Sequence, residues 1–414
     1  MSTRFDCIVV GGGAAGLATA IGLARGGLTV QALGVPDSPH DDGRSAALFE
    51  SSLEFLDTLG VVEGLKAHGA PLRAIRLIDI TGALVRAPTT TFKASEIGQD
   101  AFGWNIPNAK IVEVMSAAAR ATPGLSVSSA FLDHFTQGES GVTLTTKAGE
   151  TLTADVLIGA DGQKSRVREG AGIGHRVKPY PQAAITCRLR HPKDHEDISL
   201  EFHTREGPFT FVPVADGISA LVWIMRPEKA QAMLALSREA FEEEINRRAT
   251  NALGPVTIEG PIASVPLQKL VANALIAGRV ALVGEAAHAF PPIGAQGLNL
   301  GLKDVEALVK RLIAAKKAGD PLATALPLYA RDRRIDVEAR SAGVDVLNSA
   351  LIADFLPFDI ARAAGLAVLR DVAPIRRLAM RIGGWRSPFG FRQSARLTRA
   401  AACSRRSARA CPSP

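Results

Sequence analysis

Phe5–Gly34 reads FDCIVVGGGAAGLATAIGLARGGLTVQALG, and this stretch decides the fold. Phe5 to Val10 is an apolar run with β-branched residues, and Ala14 to Arg25 is rich in alanine and leucine. The spacing predicts strand, tight turn and helix, with Leu28–Leu33 as a second strand. Gly11, Gly13 and Gly16 fall in GxGxxG register at the junction. In such a unit the first glycine permits the turn, the second lets backbone approach a pyrophosphate, and the third lets helix and strand pack closely. The free amides around Ala14 and Ala15, at the helix start, attract phosphate. The bland alternative is a glycine turn with a purely structural role. A ribose-binding acid belongs at the tip of the second strand, but Leu33-Gly34-Val35 stands there, with Asp37, Asp41 and Asp42 as the nearest substitutes.

Outward from this unit, 414 residues suggest two interlocked domains. With 47% hydrophobic and 21% charged residues and no run of 18 apolar positions, the composition is that of a soluble globular protein. Met1 to Asp6 lacks the features of a signal peptide, so a cytoplasmic location is expected. Cys7, Cys187, Cys403 and Cys411 form no CxxC pair, which argues against zinc and disulfides. His191 and His195 are four apart, but Pro192 breaks the helix that would make them metal ligands; no metal is expected. The net charge of +7 is uneven. From Arg362 onward there are 12 arginines, no lysine and one acid, Asp371, so this end carries +11 and the first 361 residues carry −4. A basic end on a mildly acidic body argues against nucleic acid and suits a membrane surface.

The pattern predicts a helix over Arg44–Leu59, another over Lys110–Ala121, and a small β-meander from Leu125 to Ile158. Short strands between Ala183 and Arg226 indicate a second sheet, Ser237–Leu253 an amphipathic helix, and Thr257–Leu267 a returning strand. Arg279–Gly284 is a buried strand that re-enters the first unit, and a long helix starts at Leu298. The expected fold is mixed α/β, a Rossmann-like nucleotide domain with an interleaved β-sheet substrate domain and C-terminal helices. Its expected boundaries are 1–80, 100–180 and 268–345 for the first domain, 81–99 and 181–267 for the second, and 346–384 for the helices. Residues 385–414, rich in Arg, Ser, Ala and Pro, are expected to be a disordered basic tail.

Two further motifs carry chemistry. Asp155 to Gly162 (DVLIGADG) leads into Ser165 and Arg168, and Gly284 to Asp304 reads GEAAHAFPPIGAQGLNLGLKD. ADGxxSxVR and the second stretch, in this order after the glycine turn, resemble the motifs of flavin monooxygenases of the p-hydroxybenzoate hydroxylase type. The Gln296 version of the last motif, and the segment Asp42-Gly43-Arg44-Ser45, are most similar to the branch that hydroxylates ubiquinone precursors. The resemblance covers most of residues 1–380.

It implies FAD held by Gly11, Gly13, Ala14, Ala15, Gly16, Arg44, Asn108, Asp161, Gly162, Gly284 and Glu285. Independently of the resemblance, a helix beginning near Gly297, Leu298 and Asn299 aims its positive dipole end at the loop before it, where a reduced flavin is anionic. Glu285 is either an acceptor for ribityl hydroxyls or a helix cap, Arg44 either a flavin contact or a surface arginine, and His288 either a base or a brace for its turn. No residue is assigned as catalytic; Pro292, Gly294, Gln296 and Gly297 form the loop expected to position the flavin. Pro292, Ile293, Phe211, Pro213 and Trp223 are candidates for the substrate pocket, though the aromatics equally suit a core. The resemblance further implies O2 and an external reductant, NAD(P)H or a reduced electron-transfer protein, acting through a flavin C4a-hydroperoxide on an electron-rich ring. The leading expectation is a polyprenylated, lipid-soluble phenol, hydroxylated by a protein peripheral to a membrane. Alternatives are a small soluble aromatic, reduction of a prenyl chain, or a non-catalytic flavin subunit of a biosynthetic complex.

Overall fold

The glycine turn sits at the end of the central strand, Arg4–Val10, of an eight-stranded sheet. This computed structural model describes residues 4–82, 86–292, 296–338 and 356–381. Arg4–Val10 pairs in parallel with Val30–Leu33 on one side and with Thr151–Gly159 on the other. Leu125–Ser128 and Val280–Leu282 extend the parallel run outward. The strand is apolar at consecutive positions because both of its faces are covered. Cys7 and Val9 point under the helices Ala14–Arg25 and Gln296–Ala318, and Ile8 and Val10 lie under the hairpin Leu132–Gly138 and Gly141–Thr146. Burial pushes the Cys7 thiol far above its usual range, so it is an inert core residue.

The second sheet also has eight strands, in the spatial order His288–Ala289, Thr257–Ala272, His175–Arg190, Ile218–Met225, Gly207–Ala215, Ile198–Thr204, Ala74–Asp79 and Thr90–Lys93. One of its faces is covered by the helices Pro227–Leu234 and Arg238–Arg248 through Ala230, Phe241 and Ile245. A small antiparallel sheet of Ser45–Phe49, Ala70–Pro71 and Gly103–Pro107 lies between the two large ones.

The structure corrects two expectations of local pattern. Arg44–Leu59 is not one helix: Ser45–Phe49 is a strand and only Glu50–Thr58 is helical. The short apolar run fits either state, and pairing with Gly103–Pro107 settles it. Ala74–Asp79, expected in the nucleotide unit, runs parallel to Ile198–Thr204 in the second sheet. The two 16-residue strands, His175–Arg190 and Thr257–Ala272, cross the expected boundaries at 180 and 268, so the units are joined by continuous strands. Of the C-terminal helices, Leu356–Asp371 and Ala373–Met380 are present, and the expected tail at 385–414 lies outside the described residues.

Candidate cofactor and substrate site

A cleft of about 890 Å³ opens at the carboxyl end of the parallel strands, where open α/β sheets bind ligands. Its floor is the glycine turn. Gly11 has φ of +125°, and a Cβ there would lie 2.2 Å from the Ala160 carbonyl oxygen. A Cβ on Gly16 would lie 1.8 Å from the Gly11 carbonyl oxygen. Gly12, which the motif leaves free, is equally constrained: its Cβ would sit 2.2 Å from the Gly34 carbonyl oxygen. Gly13 differs, because a Cβ there meets nothing within 4 Å and faces the cleft. Three glycines close the turn against protein, and the fourth leaves room for a ligand at the start of the Ala14–Arg25 helix, beside Ala14 and Ala15.

The long helix reaches this turn. A Cβ on Gly284 would meet the Ala15 methyl at 3.1 Å, and one on Gly301 would meet the Gly284 Cα at 3.0 Å. The start of Gln296–Ala318, the Gly284–Glu285 loop and the glycine turn therefore stack directly, and Gly297 and Leu298 line the same cleft. The first amides of a helix have no intrahelical acceptor, so this end carries partial positive charge. Asn299 contributes differently than its place in the motif suggests. Its side-chain oxygen accepts from the Phe49 amide (2.9 Å) and the Ser52 hydroxyl (2.7 Å), and its nitrogen donates to the Ala47 carbonyl (2.7 Å). The buried side chain thus bolts the helix start to Ser45–Phe49.

Asp161 and Gly162 line the opposite wall. The Asp161 carboxylate accepts from the Ser165 hydroxyl and from the amides of Arg166 (2.7 Å) and Val167 (3.1 Å), so it caps the short helix Arg166–Gly170. Buried Arg168 donates to the carbonyls of Gln163 (2.7 Å) and Ala286 (2.9 Å), tying this turn to the Gly284–Glu285 loop. Glu285 is exposed in the cleft, with Gln163 Nε2 at 3.4 Å from its carboxylate.

His288 is a brace. It is 2% exposed, with Nε2 2.6 Å from an oxygen of Asp304. Asp304, fully buried, also accepts from Arg333 Nε (2.8 Å) and from the Gly284 amide (3.2 Å). Burial opposes ionisation of Asp304, but His288 and Arg333 more than offset it and hold the carboxyl below its usual range. No pattern in the sequence marked Arg333 as a partner.

Arg44 and Asn108 meet at the rim, where the Asn108 amide donates to the Arg44 carbonyl (2.9 Å) and both residues line the cleft. Of the acids that could replace the missing ribose ligand, Asp37 and Asp41 do not line the cleft, and Asp42, which does, pairs with Arg44. Gly34 itself has φ of +75°, the left-handed region that glycine adopts without strain. The substrate candidates need correcting. Phe211 and Trp223 are buried in the aromatic core beneath Arg238–Arg248, where Trp223 stacks on Phe241 with ring centroids 6.1 Å apart. Pro213 is also buried away from the cleft, its carbonyl accepting from Asn105 (2.9 Å). Side chains alternate across a strand, so Trp223 faces the core and its neighbour Val222 faces the cleft. The apolar wall there is Val222, Val265 and Leu267, with Phe290 and Pro292 nearby. Ile293 and Gly294 lie outside the described residues, and Gln296 begins the long helix.

The FAD binding domain family matches residues 4–339. A ubiquinone hydroxylase of Rhodospirillum rubrum is 34% identical over 384 residues, covering 91% of this chain and 88% of the relative. A 3-demethoxyubiquinol 3-hydroxylase of Escherichia coli is 29% identical over 391 residues, covering 91% of this chain and 97% of the relative. Among solved structures, p-nitrophenol 4-monooxygenase of Pseudomonas putida superposes with a TM-score of 0.79 at 20% identity, covering 93% of this chain and 98% of the other, a likeness of fold. With its glycine turn, its Asp161 turn and its Gly284–Glu285 loop gathered on one cleft, this chain belongs to the FAD-binding family.

Proposed function

We propose that the protein is an FAD-dependent monooxygenase that hydroxylates the ring of a polyprenylated phenol in ubiquinone biosynthesis. The observation that carries this reading is the single cleft, which joins a dinucleotide turn to the start of a helix and then to an apolar wall on the second sheet. The relatives named as ubiquinone hydroxylases support the substrate class. FAD, when bound, supplies the oxygen chemistry, with NAD(P)H or a reduced protein as electron source and O2 as oxidant.

The chain's residues bind, orient and exclude water. The glycine turn and the Ala14–Arg25 helix start hold the pyrophosphate, Glu285 accepts hydroxyls, and the positive end at Gly297 and Leu298 favours negative charge on the ring system. Val222, Val265 and Leu267 offer a dry face to the substrate ring. His288 is not placed to meet substrate, because its buried side chain does not line the cleft and is hydrogen-bonded to Asp304. Incubation with FAD, reductant, a prenylated phenol and 18O2 is expected to give a ring-hydroxylated product carrying 18O. Turnover that proceeds equally without oxygen, or a product without the label, refutes the reading.

The outer surface of the last two helices fits a lipid-soluble substrate. Val368, Val372, Ile375 and Leu378 are exposed together, alongside exposed Arg377 and Arg381. The opposite side is anchored by buried Met380 and by Arg376, whose Nε donates to Glu96 (2.8 Å). An apolar stripe flanked by arginine suits the interface of an anionic bilayer. Among the described residues no helix is long and apolar enough to cross a membrane.

A further inference from the structure

Phe131 is 65% exposed, in the short connection between Leu125–Ser128 and Leu132–Gly138. A lone exposed phenylalanine on an ordinary surface needs no explanation. This one stands in the wall of the cleft, at the tip of the second strand: the Gly34 amide donates to the Ala130 carbonyl (2.9 Å), one residue away. The tip of that strand is where a dinucleotide unit receives the adenosine ribose, normally on a carboxylate. Here the position is a glycine at φ of +75°; Asp37 and Asp41 do not line the cleft, and Asp42, which does, pairs with Arg44. The Phe131 backbone is held in place, its carbonyl accepting from the Lys147 amide (2.8 Å).

We infer that Phe131 is the adenine platform of the cleft, and that stacking on its ring replaces the ribose-to-acid contact that this chain lacks. The inference rests on the proposed binding of FAD. Stacking needs only a π-face, so it anchors the adenine end without a carboxylate at the strand tip. It also suits a position at the open end of the cleft, where a flat ring can be received by one aromatic wall.

The test is titration of the apo-protein with FAD and, separately, with FMN, which lacks the adenosine, followed by flavin fluorescence. Base–aromatic stacking contributes about 1–3 kcal/mol per base, so Phe131→Ala should weaken FAD binding by about 5- to 150-fold. FMN affinity should stay within about twofold of wild type, and Phe131→Trp should keep FAD affinity. Because the side chain is exposed, the thermal unfolding of apo F131A should match that of wild type. An FAD affinity of F131A within twofold of wild type overturns the inference, and so does equal weakening of FAD and FMN. Failure of the wild-type protein to bind FAD would instead sink the proposed function, so the two failures are distinguishable.

Discussion

Replacing Asp304 by asparagine removes the charge around which the site is braced. The carboxylate is fully buried and joins His288, Arg333 and the Gly284 amide at 2.6, 2.8 and 3.2 Å. D304N keeps the shape but strips the Arg333 guanidinium, 7% exposed, of its fully buried carboxylate partner, leaving it paired to the partly exposed Asp336. Breaking a buried pair from one side costs about 3–5 kcal/mol, because an uncompensated charge stays buried. With an unfolding entropy of about 2.1 cal/mol/K per residue, that corresponds to a drop in Tm of roughly 3–6 °C. The pH dependence has a definite sign. Since the folded-state pKa of Asp304 lies below its ordinary value of 3.8, its contribution is fully present above that value and is lost as pH falls through the lower, folded one. The gap between wild type and D304N should therefore narrow below about pH 4. The assay is thermal and urea unfolding of the apo-protein, run with the double variant D304N/R333M. Removing the stranded cation should recover at least half of the loss. A loss under about 1 kcal/mol for D304N, or a double variant worse than D304N, refutes the account of a charge-compensated brace.

The glycine turn gives a second contrast. Gly16→Ala drives a methyl into the Gly11 carbonyl and should destabilise the protein as well as abolish flavin binding, whereas Gly13→Ala should unfold like wild type. G13A is nonetheless expected to bind FAD roughly 10- to 100-fold more weakly, as for loss of one hydrogen bond to a charged group; equal stability losses in the two variants would remove the phosphate site from Gly13. At the other end of the chain, the protein should float with vesicles containing phosphatidylglycerol and much less with pure phosphatidylcholine. I375E/L378E should stay in the aqueous fraction while binding FAD normally, and its flotation with the anionic vesicles would disprove the helical docking face.

How much of this was legible in the sequence follows from the range of the forces involved. The turn at Gly11 to Gly16 and the helix start at Gln296–Leu298 are local, set by glycine conformation, apolar period and position relative to a strand, and a reader of the chain finds both. The strand at Ser45–Phe49 was hidden because a five-residue apolar run acquires its state from a partner 58 residues away, the Gly103–Pro107 strand. Trp223 and Phe211 were open to two readings, since an alternating strand shows which residues share a face but not which face meets the cleft. Only tertiary packing made that choice, by laying Arg238–Arg248 over one side. The same holds for the brace at Asp304: His288 and Asp304 belong to one motif, but Arg333 reaches them only after the chain has turned back beside the long helix. The sequence alone thus determined that a dinucleotide turn and a helix dipole exist. The tertiary structure decided that they share one cleft, because only chain folding brings Gly284 between Ala15 and Gly301.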